Sequence, residues 1–471
     1  MTRPDQPETR SRSTFIQWSL FATTLLVLQF SCGDTGGNDP LEIDSAAALA
    51  NNETLAVEVE AGRLAEYAGS QACAECHAEI VASYAETAHY NTSRPGERRN
   101  VLGPLQSAHN TVKISESMHI RVSPRGDTVY QVAIFGEDTT DVAFRRAYPI
   151  NIAVGSGRKG QTYLTWRDDS LLFQMPISYY TVTDGWVLSP GYTLETIGFD
   201  RPVVTRCVEC HATYFESRLP WEIGRKVNKL TVESIAETSA QEAEKFMSHH
   251  LNAYEPGKHI LGLTCEKCHN PGRRHVEHHR KNPEDSVGRY IVATYGHGRD
   301  HESRERSIDL CAWCHSGVTD IMREPFSYQA GMPLDSFFLV EKSADPAELD
   351  VHGNQAGLLR SSKCFSASGT MTCTTCHDVH KKQRDLALFN SKCQTCHTDA
   401  DCGMHGNATI KKHNVDLGGM CVDCHMPQSK SRSLLVEKDA GDEEGVDIRT
   451  HYIAIYPKHS DAILKRLEAA H

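Results

Sequence analysis

The hydropathy pattern begins with a polar stretch followed by a compact apolar run. Residues 1–14 are polar and include Arg3, Arg10 and Arg12, and the next 16 residues, 15–30, are mostly apolar. A bilayer-spanning helix needs about 20 apolar residues, whereas basic residues before a shorter apolar run are typical of a secretory signal. We predict that residues 1–31 are a signal peptide, with an uncleaved membrane anchor as the alternative.

A cysteine follows the apolar run directly. Ser31 and Cys32 resemble the small residue and cysteine of a bacterial lipoprotein cleavage site, although Gln29 and Phe30 depart from its usual pattern. We predict that Cys32 becomes a lipidated N-terminus, with ordinary cleavage nearby as the alternative. Residues 32–68 are rich in Ala, Asn, Asp and Glu and predict a flexible, solvated tether.

Residues 110–200 have the pattern of β-strands. Alternating or β-branched residues occupy 119–122 and 129–132, as in half-buried strands. Residues 162–166 and 171–173 flank an Asp-containing turn and predict a hairpin. We expect 110–200 to be a β-rich insertion packed against the rest of the protein.

The remaining chain predicts helices and loops. Residues 234–250 have a helical composition, residues 461–471 predict a terminal helix, and the charged residues 430–448 predict a loop. The expected fold class is therefore mainly α and irregular with a β-rich insertion. The segments outside the insertion are 69–109, 201–345 and 346–471, and each carries the motif described next.

The cysteine and histidine content is the strongest chemical signal. The chain has 17 Cys and 25 His, and Cys-x-x-Cys-His occurs seven times, whereas random placement would give about 0.03 occurrences. The motif cysteines are Cys73, Cys76, Cys207, Cys210, Cys265, Cys268, Cys311, Cys314, Cys373, Cys376, Cys393, Cys396, Cys421 and Cys424. The motif histidines are His77, His211, His269, His315, His377, His397 and His425.

This motif is the attachment pattern of haem c. On a helical turn, residues i, i+3 and i+4 share a face, so two thiols can reach both vinyl groups of one porphyrin while the histidine ligates its iron. Zinc ribbons and thioredoxin-like pairs also use Cys-x-x-Cys, but neither needs the histidine that follows. We expect seven covalently attached haems, stacked into a multihaem cytochrome c core. The last three motifs begin only 20 and 28 residues apart, which favours electron hopping between close haems.

Several stretches resemble a bacterial family of multihaem c-type cytochromes. That family is related to the tetrahaem electron acceptor of hydroxylamine oxidoreductase and, distantly, to pentahaem nitrite reductase. The similar stretches are 263–275, 371–380, 412–427, 447–451 and the first motif followed by His89. The resemblance implies that the second axial ligands of the irons are His89, His275, His352, His380, His413 and His451.

Two of these assignments also have a positional argument. His275 and His380 lie six and three residues after a motif histidine, so a compact turn could offer them to a neighbouring haem. Six such histidines leave one of the seven irons without an assigned second ligand. The remaining candidates are His109, His249, His250, His259 and His405; if none ligates, one iron would be five-coordinate and open to a substrate.

Two cysteines of the mature chain lie outside the motifs. Cys364 and Cys402 would be free thiols in an oxidising compartment, which is unusual. We hypothesise a disulfide bond between them.

Two functions fit these observations. The first is an exported electron carrier, in the periplasm or on the outer surface of a bacterium, whose mostly bis-histidine haems pass electrons between redox partner proteins. The net charge of −12 argues against nucleic acid as a partner and favours basic or amphoteric docking faces. The second is an oxidoreductase acting on a small nitrogen or sulfur compound at one five-coordinate haem. The Cys-x-x-Cys-Lys motif of the pentahaem nitrite reductases is absent from the chain, so nitrite reduction by that design is not expected.

Overall fold

The computed structural model describes most of the chain beyond residue 62. The described residues are 63–106, 109–136, 144–167, 170–194, 197–203, 205–218, 253–292, 301–317, 321–340, 345–398, 402–439 and 442–469. The chain divides into two units, Met1–Val59 and Glu60–His471, and all described residues belong to the second. The predicted signal peptide, Cys32 and the predicted helix over 234–250 lie outside the described residues.

Four antiparallel strands form the first sheet of the β-rich part. They are, in spatial order, β2 (Thr111–Ser115), β3 (Met118–Arg125), β4 (Thr128–Phe135) and β5 (Phe144–Pro149). The alternation in β3 buries Ile120 and Val122 completely while its neighbours stay partly exposed. The strands predicted over 119–122 and 129–132 are therefore confirmed.

The second sheet of this part has seven described strands. Its main order is β1 (Ser93–Pro95), β6 (Ile152–Val154), β7 (Gly160–Arg167), β8 (Leu171–Gln174) and β11 (Arg201–Pro202); β9 (Ile177–Tyr180) pairs with β7, and β10 (Gly185–Leu188) pairs with β9. The predicted hairpin is present, with Leu164 opposite Gln174 and Trp166 opposite Leu172.

The two sheets share one apolar core. Ile120 of β3 and Val129 of β4 pack in the same buried cluster as Tyr163, Met175 and Ile177 of the larger sheet. Burial of such side chains contributes about 1.5–3 kcal/mol each. The β-rich part also reaches beyond 110–200, because β1 and β11 are edge strands of the larger sheet.

Short helices carry the motifs and their surroundings. In chain order they are α1 (Ser70–Ala85), α2 (Thr205–His211), α3 (Cys265–His269), α4 (Arg273–Lys281), α5 (His301–His315), α6 (Gln355–Arg360), α7 (Lys363–Ala367), α8 (Leu386–Cys393), α9 (Ala408–His413), α10 (Cys421–His425) and α11 (Pro457–Ala469). The predicted terminal helix is confirmed as α11, which begins four residues earlier than expected.

The chain after residue 201 contains more strand than its composition predicts. β12 (Ala212–Ser217) pairs with β13 (Tyr254–Leu261). The loop predicted over 430–448 is wrong, because β14 (Gln428–Asp439) and β15 (Asp442–Arg449) form a long antiparallel hairpin. Its charged residues pair across the strands: Lys430 Nζ lies 2.7 Å from Glu444 and 2.8 Å from Asp447. Opposite charges facing each other stabilise a two-stranded sheet, so the charges do not indicate a loop here.

The end of the predicted tether is packed against the fold. Arg63–Glu66 form a 3₁₀ turn, Tyr67 is buried, and Arg63 Nη1 donates to the carbonyl oxygen of Phe326 at 3.1 Å. Within the described part of the chain, no helix is long and apolar enough to span a membrane.

Candidate functional site

Each motif lies on a single turn of helix or directly follows one. The turn α3 is fixed by Glu266, whose buried carboxylate accepts hydrogen bonds from the backbone N–H groups of Ala68 (2.7 Å), Gly69 (2.9 Å) and Gly272 (2.7 Å). Ala68 and Gly69 immediately precede α1, which carries the first motif. One carboxylate therefore holds the first and third motifs together.

Thiols of different motifs are in contact. No disulfide bond joins any of the described cysteines. In four such pairs one thiol is close enough to the other to shift its pKa: Cys73 and Cys265, Cys210 and Cys314, Cys311 and Cys373, and Cys393 and Cys421.

Longer-range electrostatic interactions identify the remaining pairs of neighbouring motifs. Cys268 lies near Cys311, and Cys376 lies near Cys396. The motifs therefore follow one another in space in the order first, third, fourth, fifth, sixth, seventh. The second motif lies beside the fourth, through Cys210 and Cys314.

Four motif histidines have their Nδ1 atom engaged. Nδ1 of His269 donates to the carbonyl oxygen of Val292 at 2.6 Å, and Nδ1 of His425 donates to that of Ala454 at 2.9 Å. The other two contacts join Nδ1 of His315 to Gln355 Oε1 at 3.0 Å and Nδ1 of His211 to Thr92 Oγ1 at 2.7 Å. Hydrogen bonds of this kind orient metal-binding imidazoles and leave Nε2 for the metal.

Three motif histidines face a second histidine at nearly the same spacing. The ring centroids are 6.0 Å apart for His269 and His380, 6.1 Å for His315 and His89, and 6.2 Å for His377 and His451. Two metal–nitrogen bonds of about 2.1 Å each, plus about 1.15 Å from each nitrogen to the centroid of its ring, would separate the centroids by about 6.5 Å. The observed spacings lie within about 0.5 Å of this value, so each pair is close enough to share one metal ion.

A fourth motif histidine also has a histidine neighbour. His352 is close enough to His211 to lower its pKa, after the larger effect of burial, and the pKa of His211 falls to about 4. Burial, then the neighbouring motif histidines, lowers the pKa values of His89 and His451 to about 4. These imidazoles are therefore neutral at pH 7, which is the form that binds a metal.

The structure places the other two expected second ligands on helices. His275 lies on α4, where its Nδ1 donates to the carbonyl oxygen of Arg289 at 2.9 Å. Arg280 of the same helix forms a 2.5 Å ion pair with Glu75 of the first motif. His413 is the last residue of α9. His77 and His397, the histidines of the first and sixth motifs, are exposed.

The spare histidine candidates have other surroundings. His259 stacks on Phe215 with ring centroids 5.1 Å apart, and it also contacts Trp166. His109 is exposed, and His405 lies in the 3₁₀ turn Gly403–Gly406. His249 and His250 lie outside the described residues.

The hypothesised disulfide between Cys364 and Cys402 is wrong. Both are free thiols. Cys364 lies near Cys376 of the fifth motif, whereas Cys402 lies near Cys424 of the seventh. The two cysteines therefore lie beside different motifs and are not bonded to each other.

A buried charged cluster joins the intervening residues of three motifs. Glu209 of the second motif is fully buried and lies 3.3 Å from Arg206. Lys267 of the third motif has its Nζ 3.7 Å from the ring centroid of Trp313, which belongs to the fourth motif. Burial lowers the pKa of Lys267 to about 8. Sequence reasoning missed this cluster, although opposite charges at equivalent motif positions were a signal for it.

Haem fits these residues better than zinc does. A structural zinc site takes four protein ligands. In the described part of the chain, no group of three or more His, Cys, Asp or Glu side chains could hold a metal ion. Iron in a porphyrin needs only two axial ligands from the protein, and paired histidines supply two.

Comparison with solved structures finds a likeness to one described as the crystal structure of outer cell wall cytochrome OcwA. The TM-score is 0.48 and the sequence identity 16%, over 84% of this chain and 81% of that chain. No family model matches the chain, and no curated protein matches it. The function must therefore be argued from the side chains of this chain.

Proposed function

We propose that this protein is an exported c-type cytochrome with seven covalently attached haems that carries electrons between redox partner proteins. The observation that carries the proposal is the pairing of motif histidines with second histidines at 6.0, 6.1 and 6.2 Å. When bound, haem supplies an iron that accepts and releases one electron. Two histidine ligands close both axial positions of such an iron, which suits electron transfer and leaves no place for a substrate.

The chain's own residues hold and orient these groups. Each cysteine pair would anchor one porphyrin, and each motif histidine would provide one ligand to its iron. The second ligand would be His380 for the third motif, His89 for the fourth, His451 for the fifth and His352 for the second. His275 serves the first motif, to which Arg280 and Glu75 attach its helix. His413 would serve the sixth or the seventh, and a carrier with every iron closed requires that one of the spare histidines, such as His405, ligate the remaining iron.

The proposal extends to location and partners. A signal peptide over residues 1–31 directs export, and lipidated Cys32 tethers the protein to a bacterial membrane facing the periplasm or the cell surface. The net charge of −12 favours partners with basic or amphoteric docking faces.

Two measurements on the full-length, haem-loaded protein test the proposal. Intact mass should show seven haems, and low-temperature EPR of the oxidised protein should show low-spin signals that nitrite and hydroxylamine leave unchanged. A high-spin signal from about one iron in seven that shifts when either compound is added would contradict the electron-carrier function. It would favour an oxidoreductase with one five-coordinate haem. A mass without covalent haem would contradict the whole proposal.

A further inference from the structure

Two consecutive residues of the β-rich part hold the histidine of the second motif. Oγ1 of Thr92 lies 2.7 Å from Nδ1 of His211, and the hydroxyl of Ser93 donates to the carbonyl oxygen of His211 at 2.6 Å. Ser93 is buried and is the first residue of β1, and its Oγ also accepts from the N–H of Gly262 at 2.8 Å. The ring and the main chain of His211 are therefore both bound at the edge of the larger sheet.

Backbone hydrogen bonds fix the position of Thr92 itself. Its carbonyl oxygen accepts from the N–H of Gly155 at 2.6 Å, and its own N–H donates to the carbonyl oxygen of His89 at 3.2 Å. Gly155 directly follows β6, the strand that pairs with β1. The hydroxyl that meets His211 is thus held by the sheet on one side and by the segment of His89 on the other.

The hydrogen-bond acceptor beside His211 differs in kind from those of the other motif histidines. When Nε2 of an imidazole binds a metal, Nδ1 keeps its proton and donates it. For His269 and His425 the acceptor is a backbone carbonyl oxygen, and for His315 it is a side-chain amide oxygen. Among these four contacts, the one made by Thr92 uses a hydroxyl group. A substitution can therefore remove or strengthen this acceptor without changing the backbone.

We propose that Thr92 is a positioning residue that sets the reduction potential of the haem anchored at Cys207 and Cys210. An acceptor at Nδ1 makes a metal-binding imidazole more basic, and a more basic ligand stabilises the oxidised iron, which carries the higher positive charge. The hydroxyl of Thr92 therefore lowers the potential of this haem, although less than a charged acceptor does. The β-rich part in this way adjusts one haem without supplying a ligand to its iron. The inference rests on the proposed function.

The test is an EPR-monitored redox titration of the full-length, haem-loaded protein. The signal of the second motif is identified as the one missing from the double variant Cys207→Ser with Cys210→Ser. Thr92→Val has nearly the same shape but no acceptor, so the midpoint of this signal should move to higher potential. Thr92→Asp supplies a charged acceptor and should move the midpoint to lower potential, whereas Thr92→Ser keeps the hydroxyl and should retain the wild-type value.

Thr111→Val is the matched control. The hydroxyl of Thr111 lies in the same β-rich part, where it donates to Asn110 Oδ1 and accepts from Arg121 Nε, both at 3.2 Å, so its loss should leave the midpoint unchanged. An unchanged or lower midpoint in Thr92→Val, or an equal shift in Thr111→Val, would overturn the inference.

Intact mass separates the remaining outcomes. Loss of the haem of the second motif from Thr92→Val alone would show a purely structural contact and would also overturn the inference. Absence of haem from Cys207 and Cys210 in the unaltered protein would instead contradict the proposed function.

Discussion

At the scale of single residues, the orientation of the motif imidazoles depends on partners supplied by remote segments. Val292, Ala454 and Gln355 each engage the Nδ1 of a motif histidine. Such contacts fix the tautomer and the ring plane. For His269 and His315, ordinary backbone and side-chain hydrogen bonds thus orient a ring that lies about 6 Å from a second histidine.

Replacing one histidine of a facing pair should leave one iron with a single histidine ligand. In His380→Ala, the iron of the third motif loses its second ligand, and about one seventh of the low-spin EPR intensity should become high-spin. The matched control is His259→Phe, which keeps the stacking on Phe215 seen for His259 and should leave all signals low-spin. An unchanged spectrum in His380→Ala would contradict the pairing with His269.

The buried ion pair of Arg206 and Glu209 should be essential for stability. In Glu209→Gln, Arg206 keeps a buried charge without its counter-ion, and the free energy of unfolding should fall by about 3–5 kcal/mol. Glu97→Gln removes an exposed ion pair with Arg99 and should cost about 1 kcal/mol or less. Denaturant unfolding followed by circular dichroism measures both, and equal effects would show that the buried cluster has no special role.

At the scale of elements, the hairpin β14–β15 is attached to the loop that carries His352. Asp350 accepts hydrogen bonds from the N–H groups of Ser433 (2.8 Å), Arg432 (3.2 Å) and His352 (3.3 Å). Burial raises the pKa of Asp350, but the hydrogen bonds from Ser433, Arg432 and His352 outweigh it and lower the pKa to about 2. One ionised carboxylate thus links a strand to a candidate iron ligand.

Removing the Asp350 carboxylate should weaken the attachment between the β14–β15 hairpin and the loop that carries His352. We expect Asp350→Ala to weaken the attachment by about 2–4 kcal/mol, since several hydrogen bonds are lost together. Proteolysis within the hairpin should become faster, and the EPR signal of the second motif should change because His352 is displaced. The control is Asp345→Ala, which removes a single hydrogen bond to the N–H of Ala347. Equal cleavage rates in the two variants would contradict this role of Asp350.

Local patterns predicted the elements that local chemistry determines. Alternation gave β3 and β4, and the spacing of Cys265, Cys268 and His269 predicted a helical turn. The hairpin over 430–448 was missed, because its charges are stabilised by cross-strand pairing that composition does not show. The pairing of His89 with His315 was also beyond prediction, because it depends on how distant segments fold together. The predicted disulfide bond between Cys364 and Cys402 was wrong for the same reason.

At the scale of the whole molecule, the order of the motifs in space differs from their order along the chain. The fourth motif is a junction, since Cys314 contacts Cys210 of the second motif and Cys311 contacts Cys373 of the fifth. Cys268 of the third motif also lies near Cys311. The second motif lies outside this order, beside both the third and the fourth motifs.

This arrangement predicts unequal effects from losing one haem. The double variant Cys311→Ser with Cys314→Ser removes the haem of the fourth motif, which lies between the third and the fifth. Electrons should then pass slowly between the two groups of haems, and reduction of the haems by an added reductant should show two phases. Cys207→Ser with Cys210→Ser also removes one haem but should leave a single phase. Stopped-flow reduction followed in the Soret band measures both, and identical time courses would contradict the order.

The contacts between thiols of different motifs also bear on how the protein is made. Cys73 and Cys265, or Cys311 and Cys373, are neighbours only in the folded chain. Where an oxidant accepts the two electrons and two protons, a neighbouring pair of thiols is oxidised to a disulfide, and each such bond would take one anchor from two porphyrins. We therefore expect haem attachment at each motif to precede the folding that brings these thiols together.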